Sequence, residues 1–153
     1  MDFEISQARI DDLDILVEHR LGMFGDMYPD LDKEIENSRE QTCIWISERF
    51  SKGELVGFIV RTDAGLVAGS GCLWVKKEQP NPTRPRLEAP YLLSMFTEKN
   101  FRRQGVARLI ARNAISWSKK HGYDRINLHA TETGKLLYEE LGFKPTNEMQ
   151  LKL

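Results

Sequence analysis

Cysteine is scarce in this sequence, and long apolar runs and an excess of either charge are missing altogether. The two cysteines, Cys43 and Cys72, lie far apart, form no CxxC pair and share no metal-ligand spacing with His19, His121 or His129. A disulfide scaffold and a zinc module are thereby disfavoured, and both thiols read as small core residues of a reduced protein that needs no metal. No stretch approaches the roughly 20 apolar residues of a membrane span, and the opening MDFEISQARIDD has neither the basic start nor the apolar run of a secretion signal. With 22 basic against 23 acidic residues the net charge is -1, which favours no phosphate-backbone partner. The expectation is a soluble, cytoplasmic protein that binds neither nucleic acid nor membrane. Its 153 residues suit one domain, residues 1–153, with a single core.

Hydrophobic periodicity organises what is present. Phe3 to Ser6 is a strand candidate, and Asp11 or Asp12 can cap a helix whose inner face carries Leu13, Leu16, Val17, Leu21 and Phe24. Gly22, Gly25 and the run DMYPD are expected to break it before a second helix with Leu31, Ile35, Ser38, Thr42, Trp45 and Ile46 on one face. From Glu54 the period changes. ELVGFIVR and LVAGSGCLWVK predict an antiparallel hairpin around TDAG, and KKEQPNPTRPRLEAP, with four of the six prolines, predicts a mobile loop. YLLSMFT then reads as a buried central strand, followed by a helix with Val106, Leu109, Ile110, Ala114 and Trp117 on one face and Gly122 as its C-cap. RINLHA reads as the next strand, Gly134 to Leu141 as a short helix, and EMQLKL as a closing strand. The strand–helix–strand from Tyr91 to Ala130 has the length and order of a parallel βαβ unit, so the class is α/β with a mixed sheet.

The entry into the Val106 helix lacks the Ser, Thr or Asp that ordinarily caps such a start. The N–H groups of about Arg103 to Ala107 are then orphan donors at the positive end of the helix dipole. Gly105 permits close approach to the backbone, Ala107 keeps the next turn narrow, and Arg102 and Arg103 add formal charge. Two readings are open at this level: a diphosphate cradle, or a helix start that is basic and glycine-bearing without a ligand. Other phosphate motifs fare worse. There is no GxxxxGK[ST], and GSGCLW has Trp74 where a dinucleotide motif needs its third glycine.

RRQGVA, Arg102 to Ala107, resembles the [QR]-x-x-G-x-[GA] acyl-CoA pyrophosphate loop of the GNAT superfamily of N-acyltransferases, and it lies between a strand and a helix as in that family. LHATETGKLLYEELGFK, Leu128 to Lys144, is similar to the family's late strand, short helix and LY-x-x-x-GF signature. The two motifs stand in the family's order, and the resemblance covers essentially the whole chain. It implies a mixed sheet of six to seven strands whose central parallel strands splay apart, flanked by about four helices. It also implies acetyl-CoA as cosubstrate, bound by Arg102, Arg103, Gln104, Gly105, Val106 and Ala107 at the pyrophosphate and by Met95, Phe96 and Thr97 along the pantetheine arm. Many members carry Asn and Ala where this chain has Thr131 and Gly134, so Thr131 takes the place of a cofactor-contacting side chain. Homodimers are common in the family, although no residue here marks an interface.

The chemistry implied is direct attack by a primary amine, of a small molecule or a protein, on the acetyl thioester. A main-chain N–H polarises the carbonyl, and Tyr138 protonates the departing sulfur. Read from the residues alone, Tyr138 fits an amphipathic core tyrosine beside Leu137 and Leu141 better than a catalytic acid. The candidate base is Glu88, acting directly or through water, with Glu98 the weaker alternative. Cys72 as a covalent nucleophile is disfavoured by its apolar strand and the lack of a nearby histidine. Asp26, Asp30 and Asp32 could favour a cationic acceptor, and Met23, Phe24, Met27 and Tyr28 either wall the acceptor site or pack the helix hairpin. The rival class is a non-catalytic acyl-CoA-binding or sensing module on the same fold.

Overall fold

The computed structural model describes residues 2–153. The chain begins with strand β1 (Phe3–Gln7) and a 3-10 turn at Ile10–Asp12, then helices α1 (Leu13–Met27), α2 (Asp32–Asn37) and α3 (Arg39–Ser51). Strands β2 (Leu55–Thr62), β3 (Val67–Lys77) and β4 (Glu88–Thr97) follow. A 3-10 turn at Lys99–Phe101 leads to α4 (Val106–Lys120), β5 (Asn127–Leu128) and α5 (Glu132–Glu140). The strands form one sheet in the order β1-β2-β3-β4-β5, antiparallel except for the β4–β5 pair.

Strand alternation sends side chains to two separate cores. Leu55, Ile59 and Cys72 face α1 and α3, where they meet Leu16, Val17, Leu21 and Ile46. Phe58, Val60, Leu73 and Leu92 face α4, where they meet Val106, Ile110, Ala111, Ala114 and Tyr138 of α5. The result is a sheet covered by helices on both faces.

Gly69 and Gly71 set how closely α4 can approach. A Cβ on Gly69 would lie 2.6 Å from the Phe96 carbonyl oxygen and 2.8 Å from Val106 Cγ1, and one on Gly71 would lie 2.5 Å from Met95 Sδ and 2.8 Å from Ile110 Cγ2. The two missing side chains seat the first turns of α4 directly on β3. Gly22 has a matching role on the other face, where the Phe96 ring lies 3.1 Å from the place its Cβ would take.

Several expectations are corrected. Gly22 and Gly25 do not break α1, which runs to Met27; a helical glycine costs only about 1 kcal/mol, and packing on both sides offsets it. The second helix is divided at Ser38, whose hydroxyl donates to the Ile35 carbonyl at 2.6 Å, so there are five helices rather than about four. The sheet has five strands, not six or seven. RINLHA contributes only Asn127–Leu128 because β4 bends away after Leu92, which leaves a parallel partner nothing to pair with. EMQLKL is not a strand among the described residues: next to so short a β5 it gains almost no ladder, and Met149 and Leu151 stay exposed. Glu88 to Pro90 belong to β4 rather than to the proline-rich loop, and two residues of that loop contact the rest of the chain. Arg86 donates to the His121 carbonyl at 2.7 Å and lies 3.8 Å from the Tyr123 ring centroid, while Glu78 pairs with Arg125. No helix among the described residues is long and apolar enough to cross a membrane.

The glycine contacts predict opposite effects at two positions. Gly69→Ala should destabilise the protein by about 1–3 kcal/mol in urea unfolding, because backbone on β4 has to move. Gly25→Ala, with nothing within 4 Å of the added methyl, should stabilise it by about 0.5–1 kcal/mol in the same titration.

Candidate functional site

β4 bends where two of its residues, Ser94 and Met95, stand opposite the single residue Gly71 of β3. This is a β-bulge, and Ser94 adopts the left-handed conformation with φ 56°. A non-glycine residue in that region is strained, so its surroundings must hold it there. Arg20 of α1 does so by donating to Ser94 Oγ at 2.8 Å, while its guanidinium packs over the Phe24 ring. Met95 turns toward Gly71 and Ile110, and Phe96 turns the other way onto Gly22 and His19.

Pairing with β5 covers only Tyr91 and Leu92, so the main chain of β4 from Leu93 to Thr97 has no strand on its β5 side. A cleft of about 1170 Å³ opens at this splay, with Trp74, Tyr91, Leu93, Ala130, Tyr138 and Phe143 among its walls. Its lining draws on both faces of the sheet. The central parallel strands splay as the resemblance implies, while Met95, Phe96 and Thr97 lie along the unpaired edge and are not among the residues that line the cleft.

The turn at the end of β4 combines two left-handed residues, Arg103 with φ 61° and Gly105 with φ 88°. Arg102 to Gly105 are exposed, whereas Val106 is only 1% exposed and anchors the helix in the core. The first main-chain bond after the turn runs from Leu109 N–H to the Gly105 carbonyl at 2.9 Å. The N–H groups of Arg103 to Arg108 find no acceptor among the described residues. They lie at the positive end of a fifteen-residue helix that has no side-chain cap.

The two arginines of the motif are not equivalent. Arg102 donates through Nε to the Thr97 carbonyl at 3.0 Å and through its guanidinium to Asp26 at the end of α1. It fastens the turn to α1 and uses the charge of Asp26 in doing so, which removes that carboxylate from the expected acceptor surface. Arg103 is the exposed cation, and the Gln104 amide donates back to the Asn100 carbonyl at 2.9 Å.

Tyr138 is buried against Phe143, edge to face with centroids 5.7 Å apart. Gly134 makes room for the ring, since a Cβ there would lie 3.2 Å from Tyr138 Cε2. Burial raises the phenol pKa, so the hydroxyl keeps its proton at neutral pH. Thr131 caps α5, its Oγ1 accepting from Gly134 N–H at 3.2 Å. Glu88 sits at the start of β4 opposite Lys77 and is absent from the cleft lining. Burial pushes the Cys72 thiol up to about 12, which leaves no thiolate for nucleophilic attack. Met23 and Phe24 are half-buried, whereas Met27 and Tyr28 are 42% and 46% exposed, so only the last two can face an acceptor freely.

Two polar clusters escape the sequence reading. Buried His19 bonds Ser70 Oγ through Nδ1 at 2.8 Å and Glu98 through Nε2 at 3.2 Å, joining α1, β3 and the end of β4. The signal was present in the apolar company of His19, between Val17 and Leu21 on α1. The second cluster is Tyr91 with His129, whose Nδ1 lies 3.0 Å from the phenol oxygen; thirty-eight residues separate them, and only strand pairing brings them together.

A model of the acetyltransferase (GNAT) family matches residues 13–143. Human N-acetyltransferase 8 is 27% identical over 117 residues, 72% of this chain and 42% of that protein, so the chain spans less than half of that relative. The crystal structure of a GCN5-related N-acetyltransferase from Ralstonia eutropha superposes with a TM-score of 0.89 at 25% identity, covering 99% of each chain. That of a predicted acetyltransferase with acetyl-CoA from Clostridium acetobutylicum superposes with a TM-score of 0.86 at 21% identity, covering 99% of this chain and 96% of the other.

His19 predicts a pH dependence of stability. Desolvation lowers its pKa below the ordinary 6.5, and Glu98 opposes that only in part. The unfolded chain then binds the proton more readily, so this stabilisation is complete above about pH 6.5 and is lost as pH falls through the folded value. Urea unfolding from pH 8 to pH 5 should show that loss, and His19→Gln, less stable at pH 8, should show a flatter profile.

Proposed function

Because the chain belongs to the acetyltransferase (GNAT) family, we propose that it transfers an acetyl group from acetyl-CoA to a primary amine by direct attack on the thioester. The observation that carries this reading is the set of acceptor-free N–H groups from Arg103 to Arg108, set at the end of a splay that leads to Tyr138. These donors suit a pyrophosphate: the turn from Arg103 to Gly105 is exposed, and no side chain already caps the helix start. Arg103, Gln104, Gly105, Val106 and Ala107 hold it through the main chain, with Arg103 adding charge and Arg102 keeping the turn in place. When bound, acetyl-CoA supplies the activated acetyl group.

The unpaired β4 edge at Met95, Phe96 and Thr97 offers main-chain donors and acceptors to an extended arm, and one such N–H polarises the acetyl carbonyl. Thr131 stands at the far rim, where its hydroxyl is already engaged as a cap. Tyr138 holds the proton needed by a departing thiolate, and the burial that raises its pKa keeps that proton in place until sulfur leaves. Glu88 stays in this reading only as a carboxylate acting through water, because it does not line the cleft. Basic and acidic residues both line the walls, so the cleft favours no acceptor charge. Two free cysteines fit a reducing compartment, and we place the protein in the cytoplasm.

Mass spectrometry of the purified protein for bound CoA, followed by an amine-acceptor screen with thiol detection, tests the reading. Binding without turnover on a broad amine panel would support a non-catalytic acyl-CoA module instead. Tyr138→Phe should lower kcat by about a hundredfold or more with little change in acetyl-CoA affinity. Gly105→Val, strained at φ 88°, should cost about 1–2 kcal/mol of stability yet weaken CoA binding at least about tenfold, measured by calorimetry.

A further inference from the structure

We propose that Tyr91 and His129 form the outlet for the proton that the acceptor amine must lose. The inference rests on the acetyl-transfer reading. An alkylamine, with a pKa of about 10, arrives as an ammonium ion at neutral pH and has no lone pair to attack with. Some group in the cleft has to take its proton and pass it to water.

The carboxylates of the cleft lining are either paired or, like Glu132 and Glu148, exposed to solvent. Glu78 and Asp124 are both paired with Arg125, and Glu139 lies 3.9 Å from Lys135. Glu98 is bonded to His19. Cys72 and Tyr138 hold their own protons under the burial already described.

Tyr91 and His129 have what these lack. Tyr91 is half-buried, lines the cleft and sits opposite Trp74 in the β3–β4 register, which puts it on the α1 face of the sheet. Tyr138 reaches the cleft from the α4 face. The proton to be removed and the proton to be given are thus handled on opposite sides and cannot neutralise each other. His129 is exposed just beyond β5, with water at hand. Burial and the charge of Glu148 both raise the Tyr91 pKa, so the phenol keeps its proton, and with His129 in its Nε2–H tautomer that proton is donated to Nδ1. The other charge facing this phenol is the Lys76 ammonium of β3, 4.9 Å from the ring centroid and 5.1 Å from that of Trp74. It favours the electron-rich phenol during transfer.

The step balances without an oxidant or reductant. Tyr91 oxygen takes a proton from the ammonium as its own proton passes to His129 Nδ1, His129 releases one from Nε2 to water, and the exposed ring regains its Nε2–H tautomer by proton exchange with solvent. The freed nitrogen lone pair forms the bond to the acetyl carbon, and the carbon–sulfur pair leaves with sulfur. Tyr138 gives its proton to that sulfur and regains one from the new amide nitrogen. One proton is released per turnover.

Tyr91→Phe and His129→Asn in the full chain test the outlet, with acetyl-CoA as donor and a panel of alkylamines and arylamines as acceptors. Each variant should lower kcat with alkylamines by about a hundredfold, leave the KM for acetyl-CoA and the CoA thermal shift unchanged, and flatten the acid limb of the pH profile. Arylamines, unprotonated at neutral pH, should be spared, which a merely structural role would not produce. In nitrogen-15 spectra, Tyr91→Phe should shift the His129 Nδ1 resonance in the protein without CoA. Full alkylamine turnover with an unaltered pH profile in both variants would overturn the outlet alone, as would an unmoved Nδ1 resonance. No transfer by the wild-type chain to any amine would overturn the acetyl-transfer reading and the outlet with it.

Discussion

The fold turns on one residue of β4 that is held where it would not go by itself. Ser94 takes a left-handed conformation that costs a non-glycine residue about 1–3 kcal/mol, and the structure supplies what keeps it there. Gly71 gives the bulge space on the neighbouring strand, Met95 fills that space, and Arg20 clasps the serine hydroxyl from α1. Were β4 straight, it would go on pairing with β5, and the cleft would be closed by an ordinary ladder. Because it bends, pairing ends at Leu92, and the strand edge beyond, which leads to the Arg103–Gly105 turn, is left open.

The triplet Gly69-Ser70-Gly71 links this bend to both helical layers. Alternation puts the two glycines on the α4 face, where absence of side chains lets Val106 and Ile110 settle against the strand. It puts Ser70 on the α1 face, where the hydroxyl meets His19, itself tied to Glu98 at the close of β4. One stretch of three residues therefore fixes the height of α4 on one side and the register of α1 on the other. A shift of α1 is transmitted by His19 and Arg20 to two points on β4 that flank its unpaired edge, which makes that helix part of the site without lining the splay.

The sequence was most legible where function needs a local pattern. The six residues Arg102 to Ala107 and the tyrosine of the short helix α5 stand between a strand and a helix, and on the inner side of a helix, as their spacing required. It was least legible where the decisive partner is remote. Nothing near Gly69 reveals that a helix forty residues on will rest on it, and GSGCLW read as a failed dinucleotide loop rather than as a packing surface. Gly22 and Gly25 read as breakers because glycine is a poor helix former, yet a tertiary contact with Phe96 outweighs that propensity at the first. The short β5 and the missing closing strand have the same origin. Both segments alternate well enough to be strands, but a strand needs a neighbour, and the bend in β4 takes that neighbour away.

Charge was misjudged for a related reason. Two adjacent arginines beside a glycine suggest two cations for a diphosphate, but one of them already has a carboxylate partner. Arg102 meets Asp26 and the Thr97 carbonyl, so its contribution is geometric: it holds the turn against α1 while neutralising a carboxylate that would otherwise repel an anion nearby. In the proposed reading the attraction is left to Arg103 and to main-chain dipoles, which are fixed by the fold and need no reorganisation when a ligand arrives. A flexible pair of free arginines would attract an anion as strongly at long range, but would lose side-chain entropy in gripping it and would leave Asp26 uncompensated. The observed division leaves one arginine holding the turn against α1 and the other exposed to solvent.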